Sequence, residues 1–409
     1  MSATRLCNRL VLAGLAAISL SFTGVGQGQA AGLQAEIIAP VPARVTASVL
    51  PEGWQHGAFA EIYVRGYQDS DGDGIGDLNG LTARLDYLQA LGVRGLWLMP
   101  VTRSGDHDHG YSVEDYRDIE PAFGTLADFD ELLAQAHARG IGVIVDYVIN
   151  HSAASHPLFL AGASDHDSPY RRWYVWRDHA PAGWSIFGRD PWVSTANGAY
   201  FSQFSPSMPD FDLENPSVMA WHADNERFWL NRGVDGFRFD AVAHLVEHGK
   251  DAWRDQPENL RLAHAATQVA MAYPHRYVVC EVTRNPATYA APQACGSAFA
   301  FELGPIAIAA ARGEADAIAK LSHYFENAPP AMATMLANHD LFAGDRLWNQ
   351  LAGDPAQYRL AAASYLLAPG TPFIYYGEEI GMASVDSLHG DRKLRTPMSW
   401  NGEAPGAGF

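Results

Sequence analysis

The sequence predicts an α/β fold, a (β/α)8 TIM barrel with an inserted subdomain between its third strand and third helix. Three observations lead there. Eight short β-branched or aromatic runs follow one another from about Trp54 onward, helical patterns separate them, and one interval of about 65 residues breaks the rhythm. The runs lie at 61–65, 95–99, 142–148, 236–241, 277–282, 299–302, 334–337 and 372–376. Helical stretches such as 78–91 and 126–139 carry apolar residues at helix spacing and stop just before Gly92 and Gly140. Eight such units fit a closed barrel better than an open doubly wound sheet.

The chain has 409 residues, enough for several average domains, but α/β barrels take about 250 residues or more as one domain, so length does not count domains here. With 48% hydrophobic and 18% charged residues it can bury a large core, and a formal charge of −18 excludes a nucleic-acid binder. Three cysteines rule out a disulfide-built scaffold.

Residues 1–30 carry Arg5 and Arg9, an apolar run at 10–22 and a small-residue stretch ending at Ala30, the pattern of a secretory signal peptide. The run of about 13 apolar residues is short of the roughly 20 that span a bilayer, so no stable membrane anchor is expected. The product is read as exported, to periplasm or medium. Cys280 and Cys295 then remain, as a possible bridge or, at least as readily, as two small buried hydrophobes. Residues 31–53 read as a linker, 54–150 as the first part of the barrel, 151–216 as the insert and 217–409 as the second part.

The insert is rich in aromatics: Trp173, Tyr174, Trp176, Trp184, Phe187, Trp192, Tyr200 and Phe201. They either form its core or, for one or two of them, stack on sugar rings at the barrel mouth.

In a barrel the C-terminal strand ends carry the chemistry. Four polar ends stand out: Asp146 with Asn150 and His151; Arg238 with Asp240 and His244; Glu281; and Asn338, His339 with Asp340. Several carboxylates in one cleft suit glycosidic-bond cleavage, one attacking while another donates and then accepts a proton. Arg238 lies two residues before Asp240, on the same strand face, and is expected to hold it ionised. Glu281 must start protonated, which demands burial or a neighbouring negative charge.

The strings DYVINH at 146–151, GFRFDAVAH at 236–244, YVVCEV at 277–282 and ANHD at 337–340 resemble, in order, the four signature regions of the alpha-amylase superfamily, glycoside hydrolase family 13. The resemblance runs from about Trp54 to the end of the sequence. It implies that Asp240 is the nucleophile, Glu281 the general acid/base and Asp340 the third carboxylate, with His151, Arg238, His244 and His339 contacting substrate. DHGYSVEDY at 108–116 looks like the family's segment after the second strand, with Tyr111 under the sugar and Asp108 near its hydroxyls; taken alone, DHDHG at 106–110 also resembles a metal site. MPDFD at 208–212 resembles a motif of members intermediate between oligo-1,6-glucosidases and neopullulanases. Ala241 matches the small residue usual in α-1,4-acting members.

DSDGDGIGD at 69–77 sets Asp69, Asp71, Asp73 and Asp77 at alternate positions, with Ile75 offering a backbone oxygen, hard ligands suited to Ca²⁺. Position twelve is Gly80, so the bidentate Glu of an EF-hand is missing; the resemblance implies instead the family's structural calcium loop. In many alpha-amylases a second calcium is held partly by residues matching Asn150 and His244, but no aspartate partner is identifiable in the insert.

Two departures stand out. Ala243 replaces a Lys that many alpha-amylases use beside the leaving group. The family continues past the eighth strand with a last helix and a C-terminal β-domain, whereas this sequence stops at Phe409, so a fragment or truncated product of marginal stability is expected. The expectation is a monomeric retaining hydrolase of α-1,4-glucans or maltooligosaccharides. The rivals are an exo-acting α-glucosidase or transglycosylase and, more remotely, a noncatalytic interaction module; such modules tend to have lost the carboxylates that are all present here.

Overall fold

The structure, a computed structural model, describes residue 32 and residues 34–107, 109–329, 331–402 and 405–409. The segment read as a signal peptide and Asp108 lie outside the described residues.

Eight parallel strands close into a barrel: β1 (Phe59–Ile62), β2 (Gly95–Leu98), β3 (Gly142–Tyr147), β4 (Gly236–Phe239), β5 (Tyr277–Cys280), β6 (Ala298–Phe299), β7 (Met332–Thr334) and β8 (Thr371–Tyr375). Each pairs with its neighbours in sequence, and β8 returns to β1. All eight runs hold strands, with shifted ends. β1 and β7 begin two residues before their expected starts, and the apolar chain after Thr334 stays buried without extending the ladder. β4 and β5 stop before Asp240 and Glu281, yet the backbone N–H of each still donates to the preceding strand, at Tyr147 O and Phe239 O. The two acids are thus anchored by the last rungs of the sheet.

Alternate side chains fill the interior. Phe59, Trp97, Ile144, Val279, Phe299 and Phe373 pack in one cluster along the barrel axis. Gly95 makes this possible, because a Cβ there would lie 2.3 Å from the Phe59 ring. Below them Trp54 and Leu50 join the same cluster. The segment read as a linker is pinned along the barrel: Trp221 Nε1 donates to Ile37 O at 2.9 Å, and Ser48 Oγ donates to the buried Asp235 at 2.5 Å.

The expected helix at 78–91 is two helices, Leu78–Ala83 and Leu85–Leu91, broken at Arg84. The first starts at Asp77, whose carboxylate accepts the Gly80 N–H as an N-cap. After β2 a hairpin that the periodicity did not reveal, Thr102–Ser104 with Val113–Ile119, carries the loop holding Tyr111. Between β3 and the helix Pro216–Arg232, the insert forms a helix, Pro157–Ser164, and a three-stranded antiparallel sheet with Gly198–Phe201 between Trp176–Arg177 and Trp192–Thr195. Tyr174, Trp192, Tyr200 and Phe201 are buried there and Trp173, Trp176 and Trp184 pack against the core, so all of these aromatics but Phe187 are core.

Cys280, at the end of β5, is bonded to Cys295, just before β6. This overturns the reading of two separate buried thiols: the strands pair at Cys280 and Ala298, which brings the two cysteine Cα atoms to 6.2 Å. Among the described residues no helix is long and apolar enough to cross a membrane.

Candidate active site

The strand ends bring their polar side chains to one place. Arg238 is fully buried beneath the mouth and serves three carboxylates. Its Nη1 donates to Asp240 Oδ1 at 2.6 Å and to Asp146 Oδ1 at 2.8 Å, while Nη2 lies 2.9 Å from Glu281 Oε2. Glu281 Oε2 also accepts the Ala241 N–H at 2.9 Å. Ala241 holds a left-handed conformation (φ 49°), which turns that N–H toward the acid; a small residue tolerates it at modest cost.

Burial raises the Asp240 pKa to about 6, Arg238 opposing and Asp146 adding to the rise. Arg238 favours the ionised form as expected, but desolvation outweighs it because the guanidinium is shared among three acids. Glu281 is raised to about 7 by burial, with Asp240 and Asp340 adding to it against Arg238. Burial thus raises both carboxyls, Glu281 to the higher value of the two.

Asp340 is ion-paired on both sides, its Oδ2 lying 3.0 Å from His339 Nε2 and its Oδ1 accepting from Arg395 Nη2 at 2.8 Å. Although burial works the other way, these cations hold its carboxyl well below the usual range. Tyr111 donates its hydroxyl to Asp146 Oδ2 at 2.9 Å and stacks on His339. His151 is kept neutral by burial, its pKa lowered to about 3; His244 likewise, to about 4.

A cavity of about 680 Å³ opens above these groups, lined by Tyr111, His151, Asp240, His244, Glu281 and Asp340 together with Phe187, Phe204, Phe342 and Arg395. Of the expected site residues, Arg238 and His339 lie directly beneath it. Sequence reading missed Arg395, whose motif RTPMSW carries no signal that it reaches back to Asp340, and did not single out Phe187 from the other aromatics. Phe187 is 62% exposed, sits at positive φ (50°) before Gly188, and stacks on Phe204.

In the acidic loop, carboxylate oxygens of Asp69, Asp71 and Asp77 lie within 4.8 Å of one another, a donor set that fits a hard cation. Asp73 is outside that group and accepts the Ile75 N–H at 2.7 Å. Backbone N–H groups, foremost that of Gly72, hold the Asp69 pKa down, keeping it charged. Around Asn150 and His244 the arrangement differs. The His244 carbonyl accepts from Asn150 Nδ2 at 2.7 Å and from Gln203 Nε2 at 3.0 Å, and Gln203 Nε2 also lies 3.4 Å from Asn150 Oδ1. Two amide groups thus donate to the one carbonyl oxygen.

A closed parallel barrel with Asp240 and Glu281 on one buried arginine and Asp340 at the same cavity has the make-up of a carboxylate-based glycosidase centre. Residues 61–409 match the family model described as alpha amylase, catalytic domain. The chain is 36% identical over 359 residues to Alpha-amylase 3 of Dictyoglomus thermophilum, covering 85% of this chain and 68% of the relative. It is 35% identical to the trehalose synthase/amylase TreS of Mycolicibacterium smegmatis, covering 87% and 68%. The crystal structure of the alpha-amylase from H. orenii superposes with a TM-score of 0.74 at 36% identity, covering 86% of this chain and 74% of that one. The chain belongs to the alpha-amylase family of glycoside hydrolases.

Proposed function

We propose that the protein is an exported, calcium-binding, retaining hydrolase of α-1,4-linked glucans or maltooligosaccharides. The observation that carries this reading is the single guanidinium of Arg238 reaching Asp240 at 2.6 Å with one nitrogen and Glu281 at 2.9 Å with the other, which favours the closely spaced acid pair of a retaining mechanism. Asp240 attacks the anomeric carbon and forms a glycosyl ester, while Glu281 gives its proton to the leaving oxygen. Glu281, now ionised, then takes a proton from water, which attacks the same carbon and frees Asp240. Asp340 holds sugar hydroxyls with His339 and Arg238 behind it; Tyr111 packs under the ring, and His151 and His244 line the cavity around it, while a contact from Asp108 rests on the family resemblance alone. Calcium fits the loop of Asp69, Asp71 and Asp77, and the resemblance adds Asp73 and the Ile75 carbonyl to the set. Export is supported by residues 1–30 and by the Cys280–Cys295 bond, which persists in oxidising compartments.

An exo-acting glucosidase or transglycosylase on the same residues is favoured by one feature. Asp391, paired with Arg395 at 3.5 Å, stands with Arg395 and His109 between the catalytic cavity and a second one of about 410 Å³, a barrier that would limit the sugar units beyond the cleavage point.

Digestion of a maltoheptaoside blocked at its non-reducing end, with calcium present, tests the reading. Internal cleavage releasing the α anomer by NMR is expected. Cleavage only of the unblocked sugar selects the exo reading, and release of the β anomer overturns retention.

A further inference from the structure

Glu61 lies on β1, two residues past Phe59, buried to 1% exposure, and the chemistry above does not use it. Its Oε1 is 2.6 Å from His339 Nδ1 and accepts the His339 backbone N–H at 3.3 Å. Across the ring, Nε2 is 3.0 Å from Asp340 Oδ2 and 2.8 Å from the Tyr111 hydroxyl. A neutral imidazole has one N–H, but here a carboxylate faces each nitrogen. Tyr111 has already given its hydrogen to Asp146, so its oxygen too accepts from Nε2. With Glu61 ionised, only the imidazolium satisfies every partner.

The geometry points to Glu61 as a positioning residue that keeps His339 doubly protonated, with one N–H tied to the barrel floor and the other aimed at Asp340 and the sugar it would hold. This rests on the proposed role of Asp340 and His339.

The surroundings support it. Burial alone would lower the His339 pKa; Asp340 and Glu61 outweigh it and push it up to about 10. Burial raises the Glu61 pKa while His339 and, at longer range, Arg238 pull it down. The other groups facing the pair are Asp146 on β3, Trp97 edge-on from β2, Arg395, which donates to the His339 carbonyl at 3.0 Å, and Arg346 and Glu378 near β8. The cationic form is thus present below about 10 and lost above it. Without the Glu61 charge that boundary moves down, toward the range where Glu281 also loses its proton.

The test is Glu61→Gln in the full chain, since the amide oxygen can still accept from Nδ1–H while the charge is gone. Two readouts are taken: the pH dependence of kcat/KM on maltoheptaose, and the His339 ring nitrogen shifts by NMR, assigned from their loss in His339→Gln. Expected is a doubly protonated His339 at about pH 8.5 in the unaltered protein, titrating at least about one pH unit lower in the variant. The second proton loss on the alkaline limb should also fall at lower pH than in the unaltered protein. A singly protonated His339 in the unaltered protein overturns the proposal, and so does a variant with an unchanged limb and only a lower Tm. If Glu61→Gln does not fold, the shifts of the unaltered protein decide alone. If no glucan is cleaved at all, the functional reading fails while the ring titration still decides the role of Glu61.

Discussion

Asp146 and Asp240 accept hydrogens from the same nitrogen of Arg238, at 2.8 and 2.6 Å. The proposed nucleophile therefore has only part of its cation, and Asp146 adds to the rise of its pKa. Asp146→Asn removes a negative charge, so the Asp240 pKa falls below about 6 and the acid limb of kcat/KM moves to lower pH, by about one unit. The amide also confronts the Trp97 and Tyr111 donors that Asp146 satisfies, at a cost of about 1–3 kcal/mol, readable in urea unfolding.

Glu281 must be protonated to act and Asp240 ionised, so activity is lost above about 7 and below about 6. A narrow bell in the pH profile of kcat/KM is expected. Glu281→Gln should lower kcat on maltoheptaose about 10²–10⁴-fold, and far less on α-glucosyl fluoride, whose leaving group needs no proton. Equal losses on both substrates would remove Glu281 from the acid role.

Phe187 projects from a tight turn onto the cavity, with its ring against Phe204. Its replacement by Ala removes one stacking face, worth about 0.5–1.5 kcal/mol, and should raise KM for maltoheptaose about 2- to 10-fold with kcat held. Steady-state kinetics on maltose beside maltoheptaose would show whether the contact lies beyond the first leaving-group sugar.

Chelation of calcium should lower Tm by about 3–8 °C, and Asp69→Asn should abolish the difference between calcium and chelator. The scanned midpoint with and without the ion checks it. Activity measured well below Tm should change little, because the loop lies apart from the carboxylates that face the cavity.

The strand-end acids were legible because each follows an apolar run, and a charged side chain there has nowhere to point but the barrel mouth. The partnerships were less so. Glu61 reads as one acid in an apolar run, and its partner His339 is 278 residues away. Arg395 reaches Asp340 from a loop with no periodicity of its own. The cysteine pairing turned on the register of β5 against β6, which no spacing reveals. The pKa of Asp240 depended on how many acids share Arg238, a count that appears only once three strands stand side by side.

Gln203 has one more consequence. Its side chain sits where the insert meets the barrel, completely enclosed, giving hydrogens to His244 O and Asn150 while its own oxygen faces His244 Nδ1 at 3.2 Å. The wall of the cleft is therefore latched by a part that the chain carries within itself, with the buried Asp210 carboxylate accepting the Gln203 backbone N–H at 3.0 Å.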